Sequence, residues 1–169
     1  VYHKRKEWSE SEAAYQRATS GSVVDSNAFN WYSRMLASVG RLDEALMQAL
    51  SAEAIDPDNP VINSRVAIVY TWLGNSEQAH EFFERANVLG EKGAIHNLAY
   101  ALLLLRDSRF AEAEAVATSG MEMAGMSTDW IEPVFAAFAD RSLSGPALQA
   151  LDGAPREKTL GPLVQVTAR

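Results

Sequence analysis

The 169-residue chain has no cysteine, only three histidines and no long hydrophobic run. Without cysteine there is no disulfide framework, no thiolate metal site and no cysteine nucleophile. The histidines, His3, His80 and His96, are too widely spaced to form the i, i+4 pair that sets two imidazoles on one helical face for a metal. The longest apolar run ends at Leu105 and falls far short of the roughly 20 residues a membrane helix needs, and no secretion signal is visible. Basic charge is scarce as well. With 15 Lys and Arg against 22 Asp and Glu, a formal net charge of −7 and a pI near 5.0, the chain lacks the basic stripe of a sequence-independent nucleic-acid surface. The one basic cluster, His3-Lys4-Arg5-Lys6, runs into acidic residues and reads as a solvated helix end.

Catalytic patterns are missing too. Gly90, Gly93 and Gly125 lack the lysine and serine or threonine of a phosphate-binding loop, and there is no Gly-x-Ser-x-Gly elbow. Glu112 and Glu114 point to different helix faces, and Glu81 and Glu84 are flanked by Arg85. No enzyme activity, cofactor or metal is therefore expected. The chain starts at Val1 inside a charged amphipathic stretch and reads as part of a longer protein, with a cytoplasmic setting favoured.

What is present is a period of 34. Shifting the chain on itself aligns Gly40, Gly74, Ser108 and Ser142, all turn-compatible residues after an apolar run. After them comes a small-residue column of Ser11, Ala45, Ala79, Ala113 and Ala147. A second follows seven positions on, with Ala18, Ala52, Ala86, Gly120 and Ala154. Between them runs a column of Tyr15, Ala49, Phe83, Ala117 and Leu151. Before the turn, Tyr32, Val66, Tyr100 and Val134 align, as do Leu36, Tyr70, Leu104 and Phe138. Alanine supplies 27 residues, so one alanine column carries little weight; two columns in step with an aromatic and a turn column carry much more.

Each period reads as two helices, because apolar residues recur at helical spacing on both sides of the turn. Gly40 and Gly74 are expected at positive φ between the helices. Asp56-Pro57-Asp58-Asn59-Pro60 closes one unit and opens the next, with Asp58 or Asn59 as cap and Pro60 in the first helical position. Small residues let paired helices approach to about 8 Å. Strand signals are nearly absent, and Val23-Val24 reads as loop.

The run Trp31-Tyr32, Gly40-Arg41-Leu42-Asp43-Glu44-Ala45-Leu46, Ala52 and Asp56-Pro57-Asp58-Asn59-Pro60 resembles a tetratricopeptide repeat (TPR). The resemblance implies an all-α fold, a right-handed superhelix of antiparallel helix pairs. It divides the chain into the second helix of a truncated repeat over 1–25, units at 26–59 and 60–93, a divergent unit at 94–127, a degenerate pair at 128–154 and a tail at 155–169. Asn30 through Asn63 also resembles the helical-repeat tails of bacterial signalling proteins, such as winged-helix regulators and class III adenylate cyclases.

The resemblance further implies that the first helix of each pair lines a groove for a ligand. Carried onto this sequence, the expected partner-binding residues are Asn27, Asn30 and Arg34 from one unit, Arg65, Ile68 and Trp72 from the next, and Leu98, Leu102 and Arg106 from the third. An apolar floor with arginines suits a partner peptide or helix bearing hydrophobic anchors and an acidic group. The competing expectation is that 155–169 covers that floor. A clamp for a chaperone's C-terminal carboxylate is not expected, because its positions carry Asn30, Arg34, Arg65, Ile95 and Ala99. Trp8, Tyr15 and Ala18 are expected to form an uncovered end surface, closed by homodimerisation or by upstream repeats. Two functions stay open: a non-catalytic protein-interaction scaffold, or a regulatory or oligomerisation domain of a larger signalling protein without a free peptide ligand. Nucleic-acid binding and membrane insertion are not expected.

Overall fold

Asn59 and Pro60 show how local chemistry opens a helix in this chain. In the computed structural model, which describes residues 5–21 and 25–153, the Asn59 side chain accepts from the backbone N–H groups of Val61 and Ile62 at 3.1 and 3.3 Å. Those donors have no partner inside the helix, and Pro60, lacking an N–H, takes the first helical position at no cost in hydrogen bonds. Asp25 and Asn75 cap two further helices through their side chains.

The described residues form nine α-helices: α1 (Arg5–Thr19), α2 (Ser26–Ser38), α3 (Leu42–Ile55), α4 (Pro60–Leu73), α5 (Ser76–Val88), α6 (Ala94–Arg106), α7 (Phe110–Met123), α8 (Ile131–Ala139) and α9 (Ser144–Gly153). A single 3₁₀ turn, Arg141–Leu143, precedes α9, and there is no strand among the described residues. The turns between paired helices follow the expectation: Gly40 and Gly74 sit at φ 84° and 85°. In the third pair Ser108 takes the same left-handed conformation at φ 61°, where its Cβ is strained. Val23, Val24 and the segment 155–169 lie outside the described residues.

Two compact units divide the chain, Val1–Glu91 and Lys92–Arg169. In the first, α1 packs on α2, α2 pairs with α3 and α4 with α5, and α4 also meets α2 and α3. The small-residue columns are what allow this. Ala45, Ala49, Ala52, Ala79 and Ala86 are fully buried, and Phe83 fills the same column as Ala49. A core of Tyr32, Met35, Leu36, Ala45 and Val69 is closed by Trp8 and Tyr15 of α1. Tyr15 stacks on Tyr32 with ring centroids 5.5 Å apart. The Tyr32 hydroxyl donates to Glu12 at 3.2 Å, and burial raises its pKa above the ordinary value. Arg41 bridges Glu12 and Glu44, each at 2.6 Å, tying α1 to the start of α3.

In the second unit α6 pairs with α7 and α8 with α9, and α7 meets α8. Ala101, Leu104, Ala113, Ala117, Met121, Ile131 and Phe135 form its core. Gly120, where the repeat elsewhere has alanine, is required by contact: a Cβ there would lie 2.6 Å from the Cβ of Asn97 on α6. Pro133 stands in the first turn of α8, where a missing N–H is tolerated, and Ser144-Gly145-Pro146 opens α9. Arg109 grips Glu112 at 2.7 Å at the start of α7, repeating the Arg41–Glu44 arrangement of α3.

Candidate partner-binding surface

The surface is built from the first helices of the pairs. On α2, the i, i+3, i+4 rows bring Asn27, Asn30, Trp31, Arg34 and Ser38 toward one side. Asn27, Arg34 and Ser38 are exposed, whereas Asn30 is 93% buried and takes no part in the outer surface. Trp31 is 49% exposed, and the Arg34 guanidinium carbon lies 5.1 Å from the centre of its ring. This cation–π contact holds a flexible arginine over a large aromatic plate in solvent.

On α4, Arg65 and Trp72 are half-buried. Ile68, expected as an apolar floor, is only 3% exposed, because α4 meets α2 and α3 and draws that position into the packing. The floor is thinner than the helical spacing suggests, and its exposed apolar area comes from Trp31, which the spacing does not pick out, and from Val61 at 50% exposure. The signal for Trp31 is its place three residues before an arginine with no acid in reach on the same helix.

Arg65 is electrostatically the most unusual group in the first unit. Its Nε is enclosed without a hydrogen-bond partner among the described residues. Burial, and after it the charge of Arg34, brings its pKa down from 12.5 to about 10. The guanidinium remains protonated at neutral pH, so two like charges stand together on α2 and α4. Other arginines of the chain are paired: Arg41 with Glu12 and Glu44, Arg85 with Glu53 at 2.9 Å, Arg109 with Glu112.

The second unit contributes its own first helix. On α6, Leu98 and Leu102 are half-buried, Ile95 is 39% exposed and Arg106 is exposed. His96 is buried to 2% exposure, with its ring 6.5 Å from that of Tyr100, and belongs to the packing. His80 is half-buried on α5. Among the described residues no three His, Cys, Asp or Glu side chains come together in a way that would hold a metal ion, and no helix is long and apolar enough to cross a membrane.

The end surface expected from Trp8, Tyr15 and Ala18 is not assembled as one apolar patch. Trp8 and Tyr15 turn inward against the α2 and α3 core, and of the three only Ala18 is exposed. It keeps company with the exposed Ser9, Glu10, Gln16 and Arg17, a polar outer face of the kind that caps a helical stack.

Comparison with known proteins places the fold. A TPR protein of Parabacteroides merdae superposes with a TM-score of 0.69 at 17% identity, over 88% of this chain and 58% of that one. Pseudomonas aeruginosa PilF gives 0.67 at 20% identity, over 96% and 75%. A thermophilic TPR protein of Thermus thermophilus gives 0.69 at 17%, over 96% and 90%. By sequence, 104 residues are 27% identical to anaphase-promoting complex subunit 3 of Schizosaccharomyces pombe. That match takes in 60% of this chain but only 16% of the fission-yeast protein's length. No family model matches the sequence.

Proposed function

We propose, from the tetratricopeptide-repeat fold that this all-α chain shares with those solved structures, that it is a non-catalytic scaffold docking a partner peptide or helix on the first-helix face. The observation that carries this reading is on α2 of the first unit: Trp31 stands half in solvent with Arg34 stacked on it. A large aromatic side chain held rigid by a cation, with half-buried Trp72 on a helix that meets α2, supplies the aromatic and arginine anchors on which binding energy concentrates. Leu98 and Leu102 on α6 extend the apolar contact in the second unit.

The test is a double substitution, Arg65→Ala with Trp72→Ala, compared with the unaltered chain in quantitative pull-down from cells that express it. The expected result is loss of about tenfold or more of the specific partners, with far-UV helicity retained. An unchanged partner set with retained helicity removes this face as the docking site. The regulatory or oligomerisation role within a larger signalling protein then takes its place.

A further inference from the structure

We propose that Arg65, with Arg34 beside it, is the receiving point for one carboxylate of the docked peptide, so that the partner carries an Asp, a Glu or a chain end next to an apolar anchor. This rests on the docking reading above and specifies what that face selects.

The inference comes from how the chain spends its acids. With 22 carboxylate side chains against 15 lysines and arginines, an arginine has partners in surplus. Arg41, Arg85 and Arg109 use them, at 2.6 to 2.9 Å. Arg65 has no hydrogen bond or ion pair among the described residues, although its Nε is enclosed. Its own helix explains part of this: positions three and four residues away are Val61, Ile62, Ile68 and Val69. The neighbouring charge makes matters worse, since the named electrostatic partner of Arg65 is another arginine, Arg34. Taking a cation out of water without an opposite charge is costly, and a like charge adds to the cost. Among the described residues nothing offsets it. An anion supplied from outside does.

Carboxylate fits better than the alternatives. With Nε enclosed, a guanidinium presents its terminal nitrogens as a planar fork, which matches the two oxygens of one carboxylate. Arg34 is engaged with the Trp31 ring, so it lends positive potential from a fixed place. The same ring offers an apolar plate to the residue beside the acid.

The experiment is selection of displayed 12-residue peptides on the full chain and on Arg65→Met, followed by fluorescence anisotropy with synthetic copies of the enriched peptide. The account expects one Asp or Glu at a fixed position in peptides enriched on the natural chain, and loss of that preference on Arg65→Met. Replacing that acid by its amide weakens binding about tenfold or more on the natural chain and less than about threefold on the variant. Enriched peptides with no fixed acid, or an unchanged acid preference on Arg65→Met, overturn the carboxylate assignment while leaving the docking reading intact. Phosphoserine at that position binding about tenfold tighter than Asp also overturns it, in favour of phosphate. If neither chain enriches any peptide, the docking reading fails and this assignment with it. Should Arg65→Met not fold, Arg65→Lys serves instead: it keeps the charge, loses the fork and is expected to lose most of the preference, and full retention overturns the proposal.

Discussion

Replacing Arg65 by methionine is expected to make the free protein more stable, although it removes a charged residue from a half-buried position. The side chain lies on α4 with Nε enclosed and no acidic partner among the described residues, beside Arg34. Its pKa of about 10 against the ordinary 12.5 measures how much the folded state disfavours the charge. At 1.36 kcal/mol per tenfold, that displacement corresponds to about 3 kcal/mol. Solvent reaching the terminal nitrogens reduces it, and about half of the value is the lower end of the expectation. Methionine keeps the aliphatic stem and adapts to the space the guanidinium leaves. For a chain of this size, 1 kcal/mol moves the melting temperature by about 2–4 °C, so the variant is expected to melt about 3–9 °C higher at pH 7.

The pH dependence carries the sign of the effect. Because the folded pKa lies below the unfolded one, the unfolded chain holds this proton more tightly between pH 10 and 12.5, and stability attributable to Arg65 rises with pH through that window. The penalty is complete below pH 10. The gap in melting temperature between Arg65→Met and the natural chain is therefore constant from pH 6 to 9 and narrows above pH 10. Paired calorimetric scans of the two proteins check this, since lysine and tyrosine ionisation affect both alike. A variant that melts at or below the natural chain refutes the reasoning, because it means that Arg65 contributes more by its contacts than its buried charge costs.

Two further substitutions test the packing. Gly120→Ala places a Cβ 2.6 Å from that of Asn97, a short buried side chain on α6 that has little room to yield, and is expected to cost about 1–3 kcal/mol in chemical denaturation. Ser108→Gly relieves a left-handed conformation at φ 61° and is expected to raise stability by about 0.5–1 kcal/mol, whereas an unchanged or lower midpoint means that the serine side chain holds that turn.

Much of the fold is legible in the columns of the 34-residue period. Ala45, Ala79 and Ala113, then Ala52 and Ala86, are small because each is fully buried where helices meet, and Asn59-Pro60 and Gly74 mark a helix start and end by backbone chemistry that acts within a few residues. The binding face is harder to read, because helical spacing gives the side of one helix and says nothing of what its neighbour covers. Asn30 and Ile68 lie on the expected stripe yet are buried, on helices that meet one another. Trp8 and Tyr15 read as an uncovered surface because their partners, Tyr32 and the α3 core, are far along the chain. Arg65 stands out in the sequence by its position, but its isolation depends on ion pairs formed elsewhere: Glu53, an acid of the same unit, is taken by Arg85 from α5. The apolar residues at 61, 62, 68 and 69 are the part of that isolation visible in sequence.

The central claim, that the α2 and α4 face of the first unit receives a peptide, is tested most directly by backbone amide NMR of the isotope-labelled full chain titrated with the peptide enriched by selection. The account predicts shift changes concentrated in residues 27–38 and 61–72, with the indole N–H signals of Trp31 and Trp72 among those that move. Changes confined to the second helices, α3 and α5, or to α8 and α9, with the Trp31 and Trp72 signals unmoved, contradict it.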